Sequence, residues 1–289
     1  MKIKIIFIVL VSSIILISCS KEKREQPKPS QPIQGGTGLF KKDNETALTI
    51  QTEDITQLNE RTIQELLARD SSSVDNLLTA ASFYDTNKNF PKAIYYFDKV
   101  IKIDPKNTLA YYNLGAIYLD AQNYKKAAEA FKNVVSVDKN DIEALKYLGL
   151  SYYYGKEFNL AAQVFESYNT KVPNEQEVVM LLAASYISLA KYDEAMNYYK
   201  IALSNDQNEI AAIVGLGFLY SQRMEWESAI SYYKRYLSAD PKNVFVLNNL
   251  ISAYIANSDF ENAKLSYEEL KQLDAEMAKK LSDFFESGE

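Results

Sequence analysis

Four side-chain positions recur every 34 residues, and this period limits what the chain can fold into. Alanine recurs at Ala93, Ala127, Ala161, Ala195, Ala229 and Ala263. Tyrosine recurs at Tyr84, Tyr118, Tyr152, Tyr186, Tyr220 and Tyr254. Aromatic residues form two more series, at Phe90, Tyr124, Phe158, Tyr192, Trp226 and Phe260, and at Phe97, Phe131, Phe165, Tyr199, Tyr233 and Tyr267. A fixed period of this length is typical of stacked helical units rather than of one globular core.

One period predicts two antiparallel helices joined by a short turn. In residues 74–107 the apolar residues follow helical spacing, at Leu77, Ala80, Ala81 and Tyr84 and then at Phe90, Ala93, Phe97 and Val100. The segment Asn87–Asn89 between them is a turn signal, and Pro105 ends the second helix because proline cannot continue a helix. We expect the recurring alanines to lie where the helices of a pair touch, opposite small residues such as Gly115 and Gly149.

This order of small residue, tyrosine, aromatic, alanine, aromatic and proline resembles the tetratricopeptide repeat (TPR) family. The resemblance covers six contiguous units, residues 74–107, 108–141, 142–175, 176–209, 210–243 and 244–277. It implies an all-α fold, a right-handed α-solenoid of six TPR helix pairs with capping helices. Lys139, Gln207 and Ala275 replace the closing proline, and Ile251 replaces the small residue of the first helix in the last unit.

Both ends of the array carry further apolar residues at helical spacing, which predict helices that cap it. The N-terminal capping helix is placed in residues 51–73, at Ile55, Leu58, Ile63, Leu66 and Leu67. The C-terminal capping helix is placed in residues 278–289, next to Met277 and including Leu281, Phe284 and Phe285.

The N-terminal sequence predicts where the protein is located. Lys2 and Lys4 precede an apolar run, residues 5–17, which is too short to span a bilayer and is typical of a signal peptide. The run ends before Cys19, and this junction resembles the lipobox of bacterial lipoproteins, although Ile17 is bulkier than the usual residue. We interpret residues 1–18 as a lipoprotein signal peptide, Cys19 as the lipidated residue and residues 19–50 as a disordered tether; an ordinary signal peptide or a short anchor is the alternative.

The composition limits the chemistry. The chain has no histidine and one cysteine, so Cys–His and Ser–His nucleophilic catalysis is excluded. The net charge is −6 and the array has no basic run, which argues against a nucleic-acid partner. No cluster of residues indicates a metal or cofactor site, and Asp85 and Asp120 read as solvated surface carboxylates. We therefore expect that this protein is not an enzyme.

The resemblance implies that the first helices of the pairs line a concave groove. The positions expected to face it are Tyr112, Lys146, Tyr153, Tyr154, Met180, Ile187, Phe218, Asn248 and Ser252. Such an aromatic and apolar wall favours an extended or helical segment of a partner protein. The alternative is that several of these side chains pack against the adjacent repeat, above all Tyr153 and Ile187. The Lys and Asn pair with which some TPR domains hold a C-terminal carboxylate is absent, since the residue one helical turn after Lys146 is Leu150 and not asparagine.

A second surface is open as well, because five tyrosines lie on second helices and either face outward or pack between repeats: Tyr95, Tyr96, Tyr198, Tyr232 and Tyr236. The leading hypothesis is a lipid-anchored scaffold or adaptor for a protein partner in the bacterial cell envelope, with envelope protein assembly as its setting. Ser20 after the cysteine favours the outer membrane, facing the periplasm. The alternative is a glycan- or peptidoglycan-binding lipoprotein that uses its aromatic rings. The sequence identifies neither the partner nor the oligomeric state.

Overall fold

A computed structural model describes residues 58–286, and the regular structure of these residues is helical throughout. The helices are α1 Glu60–Arg69, α2 Val74–Thr86, α3 Phe90–Ile103, α4 Thr108–Asp120, α5 Tyr124–Val137, α6 Ile142–Tyr154, α7 Phe158–Asn169, α8 Gln176–Ser188, α9 Tyr192–Asn205, α10 Ile210–Gln222, α11 Trp226–Ala239, α12 Val244–Ala256, α13 Phe260–Leu273, α14 Ala275–Lys279 and α15 Ser282–Glu286. None of these helices is both long enough and apolar enough to cross a bilayer. The predicted signal peptide, Cys19 and the tether lie outside the described residues.

The period of the sequence is also the period of the helices. First helices begin at residues 74, 108, 142, 176, 210 and 244, and second helices begin at residues 90, 124, 158, 192, 226 and 260. Several starts are set by a polar side chain that accepts a hydrogen bond from an otherwise unpaired amide of the first turn. Asn107, Asp141 and Asn243 act in this way on the amides of Ala110, Ala144 and Val246.

The turn inside each pair uses a left-handed residue. The same position has a positive φ, between 56° and 63°, at Lys88, Gln122, Lys156, Ala190, Met224 and Ser258. In the first pair the amide of Asn89 then donates to the carbonyl of Tyr84 at 2.8 Å, which closes the turn. None of the six is glycine, so each adopts a conformation that is unfavourable for its side chain.

The described residues fall into two compact units, residues 58–185 and residues 186–286, which we describe separately. In the first unit, consecutive helices from α1 to α7 pack side by side. Helix α1 covers α2, with Ile63 fully buried and with Leu58 and Leu67 packed against the same core. This is the packing that an apolar end of a repeat array requires.

In the second unit, consecutive helices from α9 to α15 pack in the same way, and α14 also contacts α12. Met277, Leu281 and Phe285 of the C-terminal segment pack against the core of this unit. The Phe285 ring stacks on Tyr267 with a centroid distance of 4.4 Å. The short helices α14 and α15 therefore cover the last pair.

All six recurring alanines are fully buried, as are Phe97, Phe131 and Phe165 of one aromatic series. The sequence predicted that the glycines of the first helices face the recurring alanines, and this prediction is wrong. A Cβ atom on Gly115 would lie 2.7 Å from Cζ of Phe131, and one on Gly149 would lie 2.5 Å from Cε1 of Phe165. The missing side chain makes room for an aromatic ring of the second helix, which needs more space than a methyl group.

Candidate partner-binding surfaces

Five of the predicted binding residues lie in the unit of residues 58–185, on the first helices α4, α6 and α8. Tyr112, Lys146 and Met180 occupy the same position of three consecutive repeats. Tyr153 and Tyr154 lie at the end of α6. Lys146, Tyr153, Tyr154 and Met180 are partly exposed, whereas Tyr112 is buried.

Tyr112 has a structural contact that uses its polar atom. Its hydroxyl donates to Oδ1 of Asp141 at 2.5 Å, and the same carboxylate accepts from the amide of Ala144. Its ring packs edge-on against Phe131. Burial raises the pKa of Tyr112, and the hydrogen bond to Asp141 adds to this. The residue therefore links one first helix to the start of the next.

Lys146 is held by two carboxylates. Its Nζ lies 2.6 Å from Oε1 of Glu175 and 2.6 Å from Oε2 of Glu177. Burial opposes the charge on Lys146, but the hydrogen bonds to both glutamates outweigh it and raise its pKa. Burial likewise opposes the charge on Glu175, yet the hydrogen bonds from Lys146 and Tyr168 lower its pKa. Because these carboxylates already neutralise Lys146, it is poorly suited to binding a carboxylate of a ligand.

An aromatic cluster, formed by Tyr124, Tyr153, Tyr154 and Phe158, lies where α6 meets the starts of α5 and α7. The ring of Tyr153 meets that of Tyr154 at 5.6 Å and that of Phe158 at 5.7 Å. Tyr154 also contacts Tyr124, with centroids 5.8 Å apart. Burial raises the pKa of Tyr154 to about 12, and Tyr153 and Glu177 contribute. All four rings are partly exposed, so the cluster is a surface that combines apolar area with hydroxyl groups.

Sequence reasoning missed half of this cluster. Tyr124 and Phe158 belong to one of the recurring aromatic series, and neither was among the positions expected to face the groove. Both rings open a second helix and are only half-buried. Their place directly after the turn was the signal that could have shown them to be near the end of the first helix.

The other four predicted residues lie in the unit of residues 186–286. Phe218, Asn248 and Ser252 are buried, and only Ile187 is half-buried. Phe218 packs edge-on against Tyr192, and the hydroxyl of Ser252 donates to the carbonyl of Asn248 at 2.9 Å. These three side chains therefore offer almost no area to a partner in this conformation.

The tyrosines of the second helices mostly pack within their own helix pair. Tyr96 stacks on Tyr84, Tyr198 on Tyr186 and Tyr232 on Tyr220. The expected alternative was packing between repeats; the stack forms inside one pair because the two positions face each other across it. Tyr236 is buried and its hydroxyl accepts from Asn243. Tyr95 is 53% exposed, with the ammonium of Lys99 4.7 Å above its ring.

Two polar side chains of α2 have an environment that the sequence did not indicate. Asp85 and Ser82 are each only 6% exposed, and Oδ1 of Asp85 and Oγ of Ser82 have no hydrogen-bond partner among the described residues. Reading Asp85 as a solvated surface carboxylate was wrong, although Asp120 is exposed as expected. Residues 58–286 contain no group of three or more acidic, histidine or cysteine side chains that could hold a metal ion.

Comparisons with known proteins show which family the chain resembles. Models described as tetratricopeptide repeat match residues 86–149 and 177–209. Among curated proteins no significant match was found.

Among solved structures, the chain is similar to YrrB, a TPR protein with an unusual peptide-binding site, with 17% identity and a TM-score of 0.56 over 64% of this chain and 95% of that one. It is similar to MamA from Desulfovibrio magneticus RS-1, with 18% identity and a TM-score of 0.54 over 58% of this chain and 95% of that one. It is also similar to PilF from Pseudomonas aeruginosa, with 20% identity and a TM-score of 0.50 over 74% of this chain and 98% of that one. At these identities the likeness concerns the fold.

The family models, the fold of these structures and the helix pairs repeated every 34 residues agree. Residues 86–149 and 177–209 match the tetratricopeptide repeat family, and the helix pairs outside these ranges repeat at the same spacing.

Proposed function

We propose that this protein is a non-enzymatic scaffold, anchored to a bacterial envelope membrane through a lipid on Cys19, that binds a segment of a partner protein on the first-helix face of residues 58–185. The role as a scaffold for protein–protein interaction is supported by the matches to tetratricopeptide repeat models and by the fold. The anchor rests on the sequence around Cys19.

The observation that carries the binding site is the aromatic cluster. Tyrosine rings supply broad contact area with little loss of conformational freedom, and they are enriched where partners make their strongest contacts. Glu177 and Lys146 lie beside the cluster and add a polar edge. An apolar centre with a charged edge suits a segment whose anchors are aromatic or aliphatic, in extended or helical form.

The cluster can be tested by site-specific photo-crosslinking in cells. A photoreactive phenylalanine analogue would replace Tyr153 or Met180, which lie on the predicted surface, or Gln163, an exposed residue of α7, as the matched control. We expect a discrete protein adduct from positions 153 and 180 that position 163 does not give. Equal adducts from all three positions would contradict the proposed face.

A double variant, Tyr153→Ala with Tyr154→Ala, separates the two classes of ligand. Loss of the same protein adduct at position 180, with the helical content unchanged by circular dichroism, would support a protein ligand. Binding of peptidoglycan by the wild type that the double variant loses would instead favour the glycan-binding alternative.

The anchor has its own test. We expect radiolabelled palmitate to be incorporated into the wild type and not into Cys19→Ser, with the wild type in the membrane fraction. Labelling of the variant would contradict lipidation at Cys19 and leave the binding surface unaffected.

A further inference from the structure

Positive charge is concentrated on one face of α3. Lys92, Lys99 and Lys102 are separated by steps of seven and three residues, so their side chains lie on the same side of the helix. Tyr95 lies between them, is 53% exposed and has the ammonium group of Lys99 4.7 Å from the centre of its ring. Asp98 is the one acidic residue of this helix. The face therefore presents lysines and an aromatic ring to the solvent.

The second helix of the next repeat, α5, extends this positive surface. It carries three exposed lysines and a single acidic residue, Glu129. Burial raises the pKa of Asp98 on α3, while Lys102 of the same helix and Lys126 of α5 oppose this. Because one carboxylate senses lysines of both helices, these lysines lie on one continuous surface. We call it the basic surface, and its members are Lys92, Lys99, Lys102, Lys125, Lys126 and Lys132.

Most of this charge is not neutralised within the protein. Lys92 pairs with Glu60 of α1 at 2.6 Å. The other five lysines form no ion pair with any of residues 58–286. All of them are exposed except Lys99, which is half-buried. The basic surface is therefore open to an anionic partner.

The repeat fold does not require this distribution of charge. With three lysines and one carboxylate, α3 and α5 each have a formal charge of +2, whereas α7, α9 and α13 are each at −1 and α11 is at +1. The first helices α2 and α4 are negative, and the whole chain has a net charge of −6. Charge is thus segregated to the second helices of the first two repeats. Helical steps separate most of the lysines, so they form no basic run in the sequence.

Exposed aliphatic side chains accompany the lysines. Ile103 and Val137 are equivalent residues at the ends of α3 and α5, and they are 48% and 47% exposed. Lysine and exposed apolar side chains together suit a layer of lipid headgroups, because ammonium groups meet the phosphates and apolar groups meet the boundary of the acyl chains.

We propose that the basic surface binds the anionic phospholipid headgroups of the membrane to which the protein is anchored. Each lysine close to an anionic bilayer adds to the attraction, and mobile headgroups can match the spacing of the lysines without a fixed partner geometry. The contact uses second helices, whereas Lys146, Tyr153 and Met180 of the proposed partner face lie on first helices.

This inference rests on the anchor of the proposed function. Cys19 precedes Leu58, the first described residue, by 39 positions, a length of chain that spans at most about 140 Å. An anchor at this distance would keep the local concentration of headgroups high, so that even a weak contact would orient the array on the membrane.

The test measures binding of the full chain to vesicles in a Cys19→Ser background, which removes the proposed lipid. The vesicles consist of phosphatidylcholine alone or of an equal mixture with phosphatidylglycerol. Flotation over a range of lipid concentrations gives a partition coefficient for each composition. Residues 1–18 are identical in all proteins compared, so their contribution cancels when the variants are compared.

Two triple variants with the same change in charge are compared in this background. The first changes the basic surface, and the matched control changes three exposed lysines outside α3 and α5. The substitutions are Lys99→Gln, Lys102→Gln and Lys126→Gln in the first, and Lys234→Gln, Lys242→Gln and Lys264→Gln in the control. Circular dichroism verifies that the helical content of both is unchanged.

We expect the parent chain and the control to bind the anionic mixture about tenfold or more tightly than phosphatidylcholine, and the basic-surface variant to lose most of this preference. Salt at about 1 M, where the screening length is about 3 Å, should abolish the preference. Equal preferences in all three proteins, equal losses in both variants, or no preference at all would overturn the inference. Palmitate labelling and the photo-adducts at positions 153 and 180 test the proposed function separately, and they would stand in that case.

Discussion

The hydroxyl of Tyr112 and the carboxylate of Asp141 are 2.5 Å apart, and Asp141 also caps the helix that follows. The same relationship recurs one repeat later between Lys146 and Glu175, whose charged groups are 2.6 Å apart. In both cases the side chain of a first helix reaches the residue just before the next first helix, 29 positions on. Neighbouring repeats are therefore joined by polar contacts as well as by apolar burial.

Removing the Tyr112 hydroxyl should weaken this junction. We expect Tyr112→Phe to lower the free energy of unfolding by about 1–2 kcal/mol, since a buried hydrogen bond to a charged group is lost and the ring is kept. Urea denaturation followed by circular dichroism measures the change. Tyr111→Phe is the control, because Tyr111 is half-buried on the same helix and belongs to the same residue type. An equal effect of both variants would contradict the assigned role.

The burial of Asp85 makes stability depend on pH. The pKa of Asp85 is raised from its ordinary 3.8 to about 6, so the folded state holds this proton more tightly than the unfolded chain does. Stability contributed at this site is therefore present below about pH 4, declines as the pH rises to about 6, and stays lower above it.

We expect Asp85→Asn to raise the free energy of unfolding at pH 7 by about 1–2 kcal/mol and to flatten its slope between about pH 4 and 6. Urea denaturation across this range measures both effects. Asp75→Asn should change neither, since Asp75 is exposed. A steeper slope in Asp85→Asn would show that another group is responsible.

The left-handed turn offers a stabilising substitution. Met224 has a φ of 60° and is 58% exposed, so its side chain gains little from packing while its backbone is strained. We expect Met224→Gly to raise the free energy of unfolding by up to about 1 kcal/mol, because glycine adopts positive φ without steric conflict. Glu227→Gly, in the adjacent helix, should lower it by about 1 kcal/mol. Thermal denaturation of both variants tests the sign, and destabilisation by Met224→Gly would contradict the turn conformation.

The alanine positions should not tolerate a larger side chain. Ala161 is fully buried. We expect Ala161→Leu to lower the free energy of unfolding by about 1–3 kcal/mol through overpacking. Gln163→Leu adds a leucine to the exposed side of the same helix and should have little effect. An unchanged melting curve for Ala161→Leu would contradict the register of the array.

The sequence was sufficient to predict the all-helical repeat fold, and this part is confirmed by the family models and by the solved structures. Periodicity works here because each repeat meets an almost identical neighbour, so one residue position has one environment. The recurring alanines illustrate this, since all six are fully buried.

Periodicity fails where a position carries a different residue in each repeat. Asp85 looked like a surface residue because carboxylates are seldom buried, yet it is only 6% exposed, whereas Tyr153 and Ile187 at the same position of later repeats are partly exposed. Phe218 and Ser252 looked accessible because they lie on first helices, but surrounding helices cover them. Side-chain contacts such as that of Tyr112 with Asp141 depend on two variable positions, and no repeat pattern encodes such a pair.

The constant spacing of the helix starts has a consequence for how such a gene can change. If residues 108–141 were excised, Asn107 would directly precede Ile142, and an asparagine would again stand before a first helix in place of Asp141. Unequal recombination by one or more whole periods thus joins backbone positions that are already equivalent, whereas a deletion of one or two residues inside a helix rotates the apolar face of the helical residues that follow it. Recombination can therefore change the number of repeats with less structural disturbance than it causes elsewhere in this architecture.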